Sequence, residues 1–232
     1  SRAYPDSSAI DRDTWSLEGD FDTHDLDGGG FRAYHKSSRR LIADDSARPS
    51  AWTHWTDLRG AVGAASGHVI LELNNEIWQY DEETGAYYDS WRADTFAGYR
   101  WGDILTANWQ MGLTFERMDA GDSPETYTQL GLRGGVEAYG SSVSGQVTLE
   151  YGRRTYDQGS VFLDEDSEGD FVEDYLALYT DFNYWKIWVM GNWDISRNFS
   201  LDLMASYEPE NHTEPTDDAS IGYASARLVW RP

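Results

Sequence analysis

Leu105-Thr106-Ala107-Asn108-Trp109-Gln110-Met111-Gly112-Leu113-Thr114-Phe115-Glu116 decides the fold. Leu105, Ala107, Trp109, Met111, Leu113 and Phe115 fall on one parity, and Thr106, Asn108, Gln110, Gly112, Thr114 and Glu116 on the other. Strand side chains alternate with period two, so this run has one apolar face and one polar face only when extended. A helix would scatter the same residues around its whole circumference.

Working outward, the pattern repeats. Leu130, Leu132, Gly134, Val136 and Ala138 oppose Gln129, Gly131, Arg133, Gly135, Glu137 and Tyr139. Val147, Leu149 and Tyr151 oppose Gln146, Thr148 and Glu150. Further segments run through Trp185–Ile195, Phe199–Tyr207 and Ala224–Trp230. Upstream, Trp15–Asp22, Asp57–Val62, Val69–Ile77 and Trp91–Trp101 alternate less cleanly. These make ten segments. Phe31–Leu41 reads as a hairpin inside a long outer loop over residues 24–50; a twelve-stranded count is the alternative. Connections alternate in length. Short turns fall near 66–67, 102–103, 140–142 and 196–198, and long polar ones near 81–88, 118–125, 157–174 and 208–220. Short turns at one end and long acidic loops at the other suit a barrel that spans a membrane; a soluble barrel or sandwich has no reason to sort them. Residues 1–12 read as a lead-in and 13–232 as one domain. The start at Ser1 reads as a processed or trimmed form.

Composition supports the membrane setting. Aromatic residues make up 15% of the chain, with Trp 11 and Tyr 15, and both rings favour membrane–water interfaces. No apolar run approaches the roughly 20 residues of a spanning helix, but strands cross with ~9–11 alternating residues. The absence of cysteine excludes disulfides and thiolate metal sites. A net charge of -23 repels phosphate backbones, so nucleic acid is not an expected partner.

The end of the chain carries a resemblance. Asn192-Trp193-Asp194-Ile195-Ser196-Arg197-Asn198-Phe199-Ser200-Leu201 resembles the strand–short turn–strand of bacterial outer-membrane β-barrels, and Tyr223–Arg231 resembles their closing strand. The likeness covers roughly residues 50–232 and is to the class. It implies an all-β, transmembrane, up-and-down antiparallel β-barrel in the outer membrane, in contact with lipid and lipopolysaccharide. Such barrels usually finish on an aromatic residue, whereas this chain ends on Pro232.

On this reading Glu72, Glu76, Asp94, Arg100, Glu116, Arg133, Glu137 and Arg227 share the polar parity and line the lumen. Buried charges of both signs must be paired or hydrated, so they form either a salt-bridge lattice or the wall of a small pore. The leading functional expectation is a narrow channel for transport or export of polar solutes or saccharides. The alternatives are a non-conducting barrel that scaffolds an envelope protein complex, and an outer-membrane enzyme. Asp164, Asp166, Glu168 and Asp170 offer alternating carboxylates beside Gly169, a candidate calcium loop; Glu168 and Tyr175 depart from the EF-hand pattern. A solvated acidic outer loop is the preferred reading of these residues, with calcium as the alternative, and no other cofactor is expected. His24, His35, His54, His68 and His212 are scattered; His212 with Glu210 and Glu214 resembles the acid–histidine pairs of omptin-class surface proteases. No HExxH, GxSxG or phosphate loop occurs, and the expectation is that the chain is not an enzyme. Tyr87, Tyr88, Trp91, Tyr99, Trp101, Trp109, Trp185, Trp193, Tyr207 and Trp230 read as interfacial girdles. A sugar-stacking platform would instead cluster its rings on one face near a loop.

Overall fold

The computed structural model describes residues 12–24, 29–42, 49–64, 66–82, 88–103, 106–121, 123, 125–157, 179–212 and 218–230. The strands are β1 (Arg12–His24), β2 (Gly30–Ile42), β3 (Ala51–Ala64), β4 (Gly67–Tyr80), β5 (Ser90–Asp103) and β6 (Ala107–Asp119). They continue with β7 (Tyr127–Tyr139), β8 (Val143–Tyr156), β9 (Phe182–Ser196), β10 (Phe199–His212) and β11 (Ala219–Trp230). All belong to one 11-stranded sheet, and each strand is antiparallel to its neighbours in sequence.

The register shows why the alternating pattern works. Leu113 stands opposite Ala97 on β5 and Leu132 on β7, while Thr114 stands opposite Phe96 and Gly131. Apolar side chains therefore gather on one face of the whole sheet and polar ones on the other. Leu113 is 66% exposed and Thr114 only 4%. Among the described residues there is no second layer, so a single sheet shelters one face only by curling around it. That sheltered inner face is the polar one; the apolar face points outward.

Connections at one end span 25–29, 65–66, 104–106, 140–142 and 197–198; at the other they span 43–50, 81–89, 120–126, 157–181 and 213–218. The short and long connections are thus sorted to opposite ends.

Two expectations change. The stretch expected as a hairpin in an outer loop is the full strand β2, paired with β1 and β3 along its length. Its outward parity is half polar, which breaks the alternation that marks the other strands. Those polar groups bond each other instead: His35 Nδ1 lies 2.9 Å from Thr56 Oγ1, His35 Nε2 lies 3.0 Å from Ser37 Oγ, and Ser37 Oγ lies 2.9 Å from His54 Nδ1. The count among the described residues is therefore eleven strands, neither ten nor twelve. Nor is the sheet a closed barrel, because no ladder joins β1 to β11 among the described residues. With an odd count, both edges run from the long-loop end to the short-turn end. They are parallel, and antiparallel pairing cannot close them on each other.

Candidate active site at the long-loop end of the inner face

A buried polar knot sits midway along the inner face. Glu150 on β8 is 4% exposed and accepts three hydrogen bonds: from Arg133 Nε at 2.7 Å, Tyr184 Oη at 2.6 Å and Thr114 Oγ1 at 3.2 Å. These donors come from β7, β9 and β6. Tyr184 and Thr114 reach the carboxylate because the positions between them are glycines. A Cβ on Gly152 would lie 2.5 Å from Tyr184 Oη, and one on Gly131 would lie 2.6 Å from Thr114 Oγ1. The Arg133 guanidinium also sits over Phe96, 5.3 Å from the ring centre. A buried carboxylate needs such satisfaction, and the result ties four strands together.

Toward the long loops the inner face opens into a cavity of about 360 Å³. Trp78, Arg92, Tyr127, Arg154, Tyr156 and Tyr179 line it. Arg92 pairs with Glu116 at 2.7 Å, and Tyr127 Oη donates to the same carboxylate at 2.6 Å. Arg154 lies over Tyr127 at 4.1 Å and Phe182 at 5.3 Å, and donates from Nε to Gln129 at 2.8 Å. From the loop above, Glu125 accepts from Tyr179 Oη at 3.2 Å and from Tyr88 Oη.

Beside this cavity, a hydroxyl, an imidazole and a carboxylate form one chain. Thr180 Oγ1 lies 2.6 Å from His212 Nδ1, and His212 Nε2 lies 3.4 Å from Glu210 Oε2. His212 and Glu210 are two residues apart on β10, so strand alternation puts both on the inner face. His212 stands opposite Phe182 on β9, whose ring packs against the imidazole at 4.7 Å. The histidine side chain is 3% exposed. One tautomer satisfies both bonds: Thr180 donates to Nδ1, and Nε2–H donates to Glu210.

The eight residues expected to line a lumen all share the inner parity, but they do not form one group. Glu76 borders the cavity at the long-loop end and accepts from Trp78 Nε1 at 2.7 Å. Asp94 sits opposite Glu116 and Asn74, beside the Arg92 pair. Glu116 and Arg133 belong to the buried contacts above. Glu72 and Arg100 border a separate cavity of about 410 Å³ toward the short turns, and Arg100 Nη2 donates to Gln110 at 3.0 Å. Glu137 accepts from Tyr139 Oη at 3.1 Å and lines a third cavity with Arg227. The calcium candidates Asp164, Asp166, Glu168 and Asp170 lie outside the described residues, as do Glu214 and Tyr87. Tyr88 leaves the girdle set, since it bonds a loop carboxylate.

On the outward face the long-loop rim carries three arginine–aspartate pairs: Arg39–Asp81, Arg117–Asp157 at 2.7 Å and Arg153–Asp181 at 3.2 Å. Hydrogen bonds from Arg39 and Arg117 hold the Asp81 and Asp157 carboxyls below the usual carboxylate range.

No family model matches the chain, and no curated protein sequence matches it. The sheet resembles LpxR from Salmonella typhimurium. The likeness covers 94% of this chain and 88% of that one, with 10% sequence identity and a TM-score of 0.40. Two expectations are corrected. The chain is not read as a channel for polar solutes or saccharides, and the expectation that it is not an enzyme is withdrawn. Among the described residues no ladder joins β1 to β11, so they form no continuous pore wall, which agrees with the first correction.

Sequence reading found His212 and Glu210 but missed Thr180, Tyr184 and Arg154. Arg154 shares the inner parity of Glu150 on β8, a signal that could have drawn attention to it. Thr180 has no local signature, because only the register of β9 on β10 brings it to the imidazole.

Proposed function

We propose that the chain is an outer-membrane hydrolase that cleaves an ester at the outer surface. Thr180 is the nucleophile, His212 the general base, and Glu210 the group that orients the imidazole and stabilises its charged form. The observation that carries this reading is the Thr180–His212–Glu210 chain of hydrogen bonds. A threonine hydroxyl is a weak nucleophile until an adjacent base takes its proton. Here Nδ1 takes it as Oγ1 attacks the acyl carbon, and the imidazolium faces Glu210. The proton then passes to the leaving alkoxide, and a water activated by the same imidazole releases the acyl group from Thr180.

The membrane setting rests on the outward face. Its apolar side chains are exposed in a continuous field, which a soluble protein rarely tolerates. Outward aromatics lie in two bands, with Trp15, Trp52 and Trp91 toward the long loops and Trp101, Trp109, Trp193 and Trp230 toward the short turns. Lipid surrounds the span between them, with lipopolysaccharide at the rim that carries the Arg–Asp pairs.

The test is hydrolysis of p-nitrophenyl acyl esters by the detergent-purified full chain. Thr180→Ala and His212→Ala should lose turnover, each by 10²-fold or more. Thr180→Ser should retain it and form a trappable acyl-serine. Unchanged turnover in His212→Ala would overturn the reading. Loss in His212→Ala with full activity in Thr180→Ala would move the nucleophile from Thr180 to water.

A further inference from the structure

We infer that the cavity at the long-loop end is a binding site for a neutral saccharide. The inference does not rest on the hydrolase reading.

Sugar rings present C–H faces that pack on aromatic rings and a rim of hydroxyls that needs planar polar partners. The cavity supplies both at one place. Trp78, Tyr127, Tyr156 and Tyr179 contribute rings from β4, β7, β8 and the start of the segment leading into β9. They converge on one face beside the long loops, unlike the outward aromatics, which are spread in bands around the sheet. Tyr156 packs edge-on against both Tyr127, at 5.5 Å between ring centres, and Tyr179, at 5.7 Å. The rings therefore hold one another in place before any ligand arrives, which limits the ordering cost of binding.

Charge selects the ligand class. The cavity is lined by two guanidiniums, Arg92 and Arg154, and two carboxylates, Glu76 and Glu125. These lining charges balance, so the lining itself favours neither an anionic nor a cationic ligand. Each is already held by protein partners: Arg92 by Glu116, Arg154 by Gln129, Glu76 by Trp78 and Glu125 by Tyr179. Groups so held are fixed hydrogen-bond donors and acceptors, the kind that read hydroxyl positions. A volume of about 360 Å³ is at the small end of ligand pockets, which run from about 300 to 1,000 Å³. That suits one or two sugar rings of a longer chain.

Isothermal titration of the detergent-purified full chain with maltohexaose, chitohexaose and an oligogalacturonate of similar length tests the inference. At least one neutral hexasaccharide should bind, with affinity falling tenfold or more in Trp78→Ala. Ser90→Trp, which fills the cavity without removing a wall, should abolish binding; Trp101→Ala, on the outward face, should leave it unchanged. Three results would each overturn the inference: no binding by either neutral chain, binding unaltered by both cavity variants, or preference for the oligogalacturonate. Thr180→Ala should bind the saccharide as the parent does, so failure of the hydrolase reading and failure of this one are separate outcomes.

Discussion

Glu150→Gln removes one negative charge from the centre of the inner face while keeping the side chain's size. In the parent, the carboxylate accepts from Arg133, Tyr184 and Thr114 and is 4% exposed. Two losses follow. Charge-assisted hydrogen bonds worth about 1.5–3 kcal/mol become neutral ones worth about 0.5–1.5 kcal/mol. The Arg133 guanidinium also loses its counter-charge. Removing one partner of a fully buried pair costs about 3–5 kcal/mol, but the Arg133 side chain is 25% exposed and recovers part of its hydration. Together these place the destabilisation at about 2–4 kcal/mol. Guanidinium unfolding in detergent micelles, followed by circular dichroism and by gel mobility of unheated samples, measures it where the two probes coincide. The companion variant Glu150→Gln/Arg133→Met removes both charges and should recover most of the loss, because an apolar pair is often as stable as a buried ion pair. A single-variant loss below about 0.5 kcal/mol, the size of an ordinary surface change, would refute the reasoning. So would losses that add in the double variant, since coupled partners are non-additive.

On the membrane reading, Val189→Arg should cost about 2–4 kcal/mol if it lies near the bilayer midplane, whereas Met190→Arg, on the inner parity, should cost much less. Equal costs in the same unfolding assay would mean that inner and outer faces are exchanged. The edges, unpaired among the described residues, predict fast hydrogen exchange at alternate amides of β1 and β11, those pointing away from β2 and β10, against slow exchange throughout β6–β8. Protection of both sets in micelles would show that another strand pairs with the edges. The depressed carboxyl pKa of Asp81 and Asp157 means their ion pairs contribute above the ordinary aspartate value of about 3.9 and are lost only as pH falls through the lower, folded value. Pepsin nicking of the long loops should therefore stay low in the parent until the pH falls below that value, whereas Asp81→Asn/Asp157→Asn, which lacks the pairs at every pH, should be nicked throughout; identical pH profiles would remove the pairs from any role in ordering the rim.

What the sequence carried was parity. Period-two alternation placed Leu113 outward and Thr114 inward, because a strand buried on one face must repeat that choice at every second residue. The register puts all eight of the charges expected to line a lumen on the face that carries Thr114. The alternation failed at β2, where His35, Ser37 and Arg39 occupy outward positions and satisfy one another or a loop aspartate instead of meeting an apolar surface. Parity says which face a residue takes, but not which residues meet there. Glu76, Glu72, Arg100, Glu137 and Arg227 border three separate cavities while Asp94, Glu116 and Arg133 border none of them, because neighbours on an inner face are fixed by register across strands, and register depends on turn lengths that no single segment reveals. His212 and Glu210 were visible as a pair since both lie on one strand two residues apart. Thr180 was not, for it reaches His212 only once β9 has been set against β10 with Phe182 opposite the histidine. The same holds for Tyr184, whose path over Gly152 and Gly131 is a clearance created by two other strands. Where a function needs groups from several strands, alternation supplies the face, and the ladder of pairings supplies the site.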